Sequence, residues 1–311
     1  MGGSRFDAGD WKDYASTAST RSYSDTFARK STKTTKDPRT SFNPITIMMR
    51  ESRDSAANPN STAIILAFDE TGSMGSIPYH FIKEGLGKLM TEIYDRKPVP
   101  DPHIMVLAVG DVEWDRAPLQ ATQFEADITI AKQIEDLYLE GGGGGNRGES
   151  YNAAHYFAAT KTSIDCFEKR GKKGLLFTIG DEPPLPILKK THIQEFIGGE
   201  PTKDLTSQEL VDMASHTYDV FHVIVEEGYF RGQPENVLKP WHELLPQGRI
   251  LRLKDHTKLA EVIVSAIQIH EGADRDTVIK SWSGGTDLVV RDAISTDLVA
   301  KKEAGSEIVH L

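Results

Sequence analysis

The stretch that decides the fold reads TAIILAFDETGSMGS and runs from Thr62 to Ser76. Its first part, Ala63 to Phe68, is an unbroken apolar run rich in β-branched and bulky residues. That length and composition are typical of a strand buried on both faces of a parallel sheet. The run ends at Asp69, and small or hydroxyl-bearing residues, including Thr71 and Ser73, follow it. The stretch therefore predicts a central strand that ends in an oxygen-rich turn and leads into a helix.

The turn places three oxygen-bearing side chains at alternate positions, in the pattern Asp69-x-Thr71-x-Ser73. In an open α/β sheet, ligands bind in the crevice at the carboxyl ends of the strands. A carboxylate and two hydroxyls are hard donors that suit a small hard cation such as Mg²⁺. The sequence thus predicts a cation site here, and the alternative is a Ser/Thr-rich turn that only caps the helix.

Further apolar runs alternate with segments of helical period along the rest of the chain. This alternation predicts an α/β protein with a Rossmann-like, doubly wound, mainly parallel six-stranded sheet and helices on both faces. The stretch from Gly174 to Pro184 also contains a predicted buried strand, and this strand ends in a carboxylate, Asp181. The other predicted strands are His103–Val109, Leu119–Glu125 at an edge, Asp219–Val225 and Arg249–Leu253; a helix is predicted from Tyr151 to Lys169, and a capping box at Thr206 and Glu209.

Composition divides the chain into three predicted parts. Residues 1–60 form a polar arm rich in Ser, Thr, Lys and Arg, residues 61–272 form the α/β domain, and residues 273–311 form a C-terminal extension. The arm carries ten basic and seven acidic residues together with scattered aromatic residues. Two interpretations remain open for it: a loosely ordered segment, or one whose aromatic side chains dock on the domain or on a partner.

Charge and cysteine content narrow the possible functions. The 311 residues carry a net charge of -10, which argues against a mainly nucleic-acid-binding role. A single cysteine, Cys166, excludes an intrachain disulfide framework. The chain shows neither an apolar signal-peptide core near its start nor an apolar run long enough to span a membrane. We expect a cytoplasmic protein that does not bind membranes.

The turn motif resembles a known family. DETGSMG after an apolar strand is similar to the first loop, D-x-[ST]-x-S, of the metal-ion-dependent adhesion site of von Willebrand factor A (vWA) domains. The longer stretch from Arg50 to Gly75 resembles uncharacterised bacterial and phage-encoded vWA proteins. The resemblance covers about Ser61 to Gly272 and implies the vWA fold.

The resemblance also implies further metal ligands. The third loop of the family supplies an Asp, and Asp181 matches it. The second loop of the family supplies a Thr, which is missing from the glycine-rich segment Gly141–Ser150. That segment is closer to the GGGDxPE loop of some vWA subfamilies, so Glu149 is the first choice as its ligand, followed by Asn146 and then Ser150. Alternatively, the five glycines only permit close approach of the backbone.

In this family the ion keeps one coordination position open, which a carboxylate of a partner protein commonly fills. The resemblance therefore implies a Mg²⁺- or Mn²⁺-dependent protein-binding or assembly module that catalyses no reaction. Bacterial vWA proteins often work beside AAA+ ATPases or within multiprotein complexes, which suggests that class of partner.

A phosphotransferase is the alternative from another class. DETGS is also similar to the DKTGT loop of haloacid-dehalogenase-type phosphatases, which would make Asp69 a nucleophile that forms an aspartyl phosphate. Against this alternative, Glu182 and two prolines follow Asp181, where those enzymes carry a second Asp. The short turn after Ser73 also leaves no room for their flap.

Overall fold

The computed structural model describes residues 7–20, 41–138 and 148–300. Asn146 and most of the glycine-rich segment lie outside the described residues. A six-stranded sheet forms the centre of the molecule, and all its neighbouring strands are parallel except the last pair. In spatial order its strands are β10 (Ile250–Leu253), β9 (Tyr218–Val225), β6 (Gly174–Gly180), β2 (Thr62–Asp69), β3 (Pro102–Val109) and β4 (Leu119–Ala121). The prediction of a mixed α/β fold around a mainly parallel six-stranded sheet is confirmed.

Strand β2 shows why this sheet is buried on both faces. Its side chains alternate between two apolar clusters: Ile64, Leu66 and Phe68 belong to the first cluster, and Ala63 and Ile65 to the second. Every residue of the strand is buried. The period-2 alternation of a strand therefore turns one continuous apolar run into two cores.

Helices supply the other side of each cluster. Helices α3 (Leu86–Arg96) and α11 (Leu259–His270) contribute to the first cluster, and α5 (Tyr151–Thr160), α8 (Ser207–Thr217) and α10 (Pro234–Leu244) contribute to the second. The helices are α1 (Ala8–Ser19), α2 (Ile77–His80), α3 (Leu86–Arg96), α4 (Thr129–Glu135), α5 (Tyr151–Thr160), α6 (Asp165–Glu168), α7 (Lys190–His192), α8 (Ser207–Thr217), α9 (Gly228–Gly232), α10 (Pro234–Leu244), α11 (Leu259–His270), α12 (Arg275–Lys280) and α13 (Thr286–Ala293). A π-helical turn, Phe81–Gly85, joins α2 to α3. The predicted capping box at the start of α8 is confirmed. No described helix is long and apolar enough to cross a membrane.

The predicted single helix from Tyr151 to Lys169 is wrong. Helix α5 ends at Thr160, a short strand β5 (Thr162–Ile164) follows, and α6 holds the buried Cys166. The chain becomes extended here because β5 pairs with β1 (Arg50–Ser52) in a separate parallel sheet. A hydrogen bond of 2.6 Å between the Thr162 and Tyr218 hydroxyls also fixes the break. A third sheet pairs β7 (Ile187–Leu188) with β8 (Leu205–Thr206).

The predicted edge strand is shorter than expected. It spans Leu119–Ala121, and Glu125 makes only an isolated bridge to Ile104.

Part of the N-terminal arm packs against the domain. Helix α1 places Trp11 in the first cluster with 2% of its surface exposed, and Tyr14 packs there as well. Further along, the Arg50 guanidinium donates to the carbonyl of Ala121 at 2.8 Å. For Trp11 and Tyr14, these contacts favour the interpretation that the aromatic residues dock on the chain's own domain, while Phe6, Tyr23 and Phe27 lie outside the described residues. The boundary at residue 60 stays a prediction.

Candidate functional site

Asp69 anchors the turn that follows the central strand. It is the last residue of β2 and fully buried. Its Oδ1 accepts a hydrogen bond from the Thr71 amide at 2.9 Å and another from the Thr71 hydroxyl at 2.6 Å. A short Asp side chain that bonds the backbone two residues further on forms an Asx turn. The carboxylate thereby folds the turn back over the strand end.

The other two predicted strand-end ligands lie beside this pair. The Ser73 hydroxyl donates to Asp181 Oδ1 at 2.9 Å, and the Thr71 and Ser73 hydroxyl oxygens are 3.1 Å apart. Asp181 directly follows β6, the strand next to β2, so parallel pairing brings its side chain to the same edge. The structure thus joins Asp69, Thr71, Ser73 and Asp181 in one chain of contacts.

Burial perturbs both carboxyl groups, and like charge acts in addition on Asp69. Burial, followed by the nearby charge of Asp181, raises the pKa of Asp69 to about 7. Burial also raises the pKa of Asp181. Within the described residues, no group of three or more His, Cys, Asp or Glu side chains is arranged to hold a metal by itself. Any cation here would therefore depend on the hydroxyls as well as on the carboxylates.

Glu149 lies at the same edge of the sheet. Its amide donates to the Pro183 carbonyl and its carbonyl accepts from the Leu185 amide, each at 3.1 Å, so it is tied to the loop after β6. The side chain is 3% exposed, and its Oε2 has no hydrogen-bond partner among the described residues. Burial, followed by the charge of Asp69, raises the pKa of Glu149 to about 11. Glu149 is therefore a buried acid near Asp69 with one carboxyl oxygen unsatisfied among the described residues, whereas Asn146 falls outside them.

Tyr151, the first residue of α5, is a site residue that the sequence does not predict. Its hydroxyl donates to Asp69 Oδ2 at 2.7 Å, and its ring is fully buried. A Cβ atom at Gly180 would overlap the Tyr151 hydroxyl and lie 2.9 Å from the Asp69 Cβ, so the glycine makes room for this contact. The only signal in the sequence is the position of the tyrosine directly after the glycine-rich segment.

The loop after β9 was also missed. The Tyr229 amide donates to Asp181 Oδ2 at 2.6 Å. Gly228 precedes it with φ +51°, and a Cβ atom there would overlap Asp181 Oδ2 and the Ser73 carbonyl oxygen. The available signal in the sequence is a glycine, Gly228, shortly after the end of strand β9.

Further acidic residues follow the ends of strands β2, β3 and β6. Asp111 lies two residues after the end of β3 and is fully buried, Glu70 is 3% exposed, and burial raises the pKa of Glu182 to about 7. Among the described residues, neither Lys nor Arg forms an ion pair with Asp69, Glu149 or Asp181. Buried carboxylates without a positive partner are costly. A bound cation would therefore stabilise the ionised carboxylates at the carboxyl edge of the sheet.

Comparison with known proteins gives partial likenesses only. No protein-family model and no curated protein matches this chain. Solved structures similar to it include the pilus adhesin SpaC from Lactobacillus rhamnosus GG in its open conformation, with 7% identity over 70% of this chain and a TM-score of 0.48. A von Willebrand factor type A structure from Catenulispora acidiphila shows 16% identity over 68% of this chain and a TM-score of 0.35.

A third similar structure is proximal thread matrix protein 1 from the mussel byssus, with 10% identity over 67% of this chain and a TM-score of 0.42. The chain spans less than half of each of these structures: 31% of SpaC, 42% of the Catenulispora protein and 47% of the mussel protein.

Proposed function

We propose that this chain is a Mg²⁺- or Mn²⁺-dependent protein-binding module with a doubly wound vWA fold. A metal ion at the carboxyl edge of the sheet would recognise a carboxylate of the partner. The residues proposed to hold the ion are Thr71, Ser73, Asp69, Asp181 and, from the second loop, Glu149. Asn146 stays a further candidate of that loop.

The observation that carries this proposal is the 3.1 Å separation of the Thr71 and Ser73 hydroxyl oxygens. Each hydroxyl has a carboxylate within hydrogen-bond distance, Asp69 for Thr71 and Asp181 for Ser73. Once both hydrogens point to these acceptors, the two oxygens turn lone pairs toward each other. Ligands at adjacent corners of a Mg²⁺ octahedron lie about 3.0 Å apart. The hydroxyl pair therefore already has the spacing of two neighbouring ligands.

The hydroxyl and carboxylate side chains have different roles in the proposed site. Thr71 and Ser73 offer neutral oxygens to the ion, while Asp69 and Asp181 hold the hydroxyl hydrogens and supply negative charge. When bound, the ion supplies an electron-poor centre that attracts a carboxylate. Neutral donors such as Thr71 and Ser73 leave more of the positive charge for the partner than a carboxylate donor such as Glu149 would.

The hydrogen bonds of Asp69 support binding rather than phosphoryl transfer. A nucleophilic aspartate needs a free oxygen that can reach the phosphorus atom. Asp69 is fully buried, and both of its oxygens accept internal hydrogen bonds. Trapping of a beryllium fluoride phosphate mimic on Asp69, or phosphatase activity that is lost in Asp69→Asn, would favour the phosphotransferase instead.

The partner class follows from the resemblance to vWA proteins. We propose a protein partner, either an AAA+ ATPase or a component of a multiprotein complex, and a cytoplasmic location. Neither nucleic acid nor membrane is part of the proposal. Affinity capture in Mg²⁺ and in chelator, with wild type and with Asp69→Ala, would identify the partners that depend on the metal.

Calorimetric titration with Mg²⁺ and with Mn²⁺ tests the site itself. We expect wild-type protein to bind one ion with modest affinity, because Mg²⁺ keeps several waters. Ser73→Ala should weaken binding at least about tenfold. Ser76→Ala is the matched control, since Ser76 lies in the same turn but is exposed and makes no capping hydrogen bond. Absence of binding at millimolar ion, or equal affinity in both variants, would exclude the site.

A further inference from the structure

We propose that Tyr151 is a positioning residue of this site: its hydroxyl holds the Asp69 carboxylate in the orientation that turns the Thr71 oxygen toward the cation. The inference rests on the proposed metal site. Tyr151 itself does not touch the ion in this proposal.

The hydrogen bonds around Asp69 define what Tyr151 does. Oδ2 accepts from Tyr151 at 2.7 Å, while Oδ1 accepts from the Thr71 amide and hydroxyl. A carboxyl group held on one oxygen only can rotate about its Cβ–Cγ bond. With the tyrosine on the second oxygen, Oδ1 is fixed toward Thr71. The Thr71 hydrogen then has one strong acceptor, and its oxygen lone pairs face Ser73.

The tyrosine ring is itself held rigidly. Its ring centre lies 5.3 Å from that of His222 and 5.5 Å from that of Trp241, and these two rings stack on each other at 3.4 Å. The Trp241 indole donates to the Glu182 carbonyl at 3.1 Å, so the aromatic cluster is also attached to the loop after β6. These ring contacts, together with the complete burial of the ring, aim the hydroxyl and lower the conformational entropy lost when the site orders.

Tyr151 is also the last of three residues that connect loops at the carboxyl edge of the sheet. Three consecutive residues contact three different strand-end loops. Glu149 bonds through its backbone to Pro183 and Leu185, Ser150 Oγ accepts from the Val112 amide at 3.0 Å, and Tyr151 reaches Asp69. Only the last of these contacts acts on a proposed metal-site side chain. The Tyr151 hydroxyl is thus the group through which helix α5 positions the Asp69 carboxylate.

The test removes this hydroxyl and keeps the ring. In full-length protein, Tyr151→Phe should weaken Mg²⁺ and Mn²⁺ binding by about tenfold, a typical effect for a residue that orients a ligand. Tyr218→Phe is the matched control: Tyr218 is also fully buried and bonds one hydroxyl, Thr162, but it lies at the amino end of β9. We expect its metal affinity to equal that of wild type.

Electron paramagnetic resonance of bound Mn²⁺ separates positioning from general loosening of the fold. At saturating Mn²⁺ the spectrum reports ligand geometry rather than affinity. We expect a changed line shape in Tyr151→Phe and an unaltered one in Tyr218→Phe. Wild-type affinity and line shape in Tyr151→Phe would overturn the role of Tyr151 while leaving the metal site intact. If wild-type protein binds neither ion, the proposed function fails first, and the role of Tyr151 fails with it.

Discussion

In the proposed site, Glu149 would determine how strongly a bound ion attracts an acidic partner. Direct ligation by Glu149 would add a third negative charge beside Asp69 and Asp181, and a partner carboxylate would then enter against repulsion in a partly desolvated site. We expect Glu149→Gln to weaken Mg²⁺ affinity but to strengthen capture of an acidic peptide at saturating Mg²⁺. Calorimetry gives the first quantity and biolayer interferometry the second.

Glu113→Gln is the control for this change, because Glu113 is an exposed glutamate that pairs with Lys189 at 2.8 Å. It should alter neither quantity. A structure with the ion bound and the Glu149 carboxylate beyond coordination distance would contradict direct ligation and leave a site with mainly neutral donors.

Gly228 shows how a backbone position limits the site. Its φ of +51° is strained for any residue with a Cβ, at a cost of about 1–2 kcal/mol. The added atom would also collide with Asp181 and with the Ser73 carbonyl. We therefore expect Gly228→Ala to lower the free energy of unfolding by more than this amount and to abolish metal binding. Urea denaturation and calorimetry measure the two effects.

The comparison for that variant is Gly232→Ala at the other end of α9, where a Cβ would meet no atom within 4 Å. Stability close to that of wild type is expected there. Full metal affinity in Gly228→Ala would show that the loop after β9 does not shape the site.

The packing of helix α5 against the sheet buries His155 completely. Neither nitrogen of His155 has a hydrogen-bond partner among the described residues, and burial lowers its pKa to about 4. Below pH about 6.5 the unfolded chain takes up the proton first. The free energy of unfolding should therefore fall by roughly 1.4 kcal/mol per pH unit between pH 6.5 and 4 from this group alone.

His155→Gln should remove this part of the acid dependence, as seen in urea denaturation repeated at several pH values. His242→Gln, at an exposed position of α10, should leave the slope unchanged. An equal slope in wild type and in His155→Gln would mean that His155 becomes protonated within the fold.

The elements differ in how far the sequence predicts them. Strand β2 and the turn from Asp69 to Ser73 are predictable because their signals are local: an apolar run, followed by small oxygen-bearing residues. The end of α5 at Thr160 is not, because it depends on pairing of β5 with a strand more than a hundred residues earlier. Tyr151 is missed for the same reason, since a tyrosine at a helix start carries no sign of an acceptor on a distant strand.

The N-terminal arm affects the stability of the whole molecule, because its contacts reach both the core and the sheet edge. Deletion of residues 1–40 removes α1 and the buried Trp11, whereas deletion of residues 1–60 also removes β1. We expect the shorter deletion to leave a cooperatively unfolding domain, and the longer one to be much less stable. Arg50 bonds Ala121, and Ser52 contacts His103 at 3.1 Å, so the longer deletion breaks these buried contacts.

Thermal unfolding followed by circular dichroism compares the two deletions. Equal stability would place the domain boundary at residue 60, as composition predicts. Loss of cooperative unfolding in the shorter deletion would make α1 an integral part of the fold.

The charge of the whole chain opposes the partner that the site is proposed to bind. A net charge of -10 repels an acidic ligand at long range, whereas a bound ion would attract it mainly at close range. Salt shortens the range of this repulsion, from about 30 Å at 0.01 M to about 8 Å at 0.15 M ionic strength. At saturating Mg²⁺ we therefore expect the association rate of an acidic peptide to rise with salt, and the dissociation rate to change less, because the contact is partly desolvated. Stopped-flow measurements between these two ionic strengths provide the test. The amide analogue of the peptide shows whether binding needs the carboxylate. An association rate that falls with salt would mean that a local positive surface, rather than the metal ion, draws the ligand in.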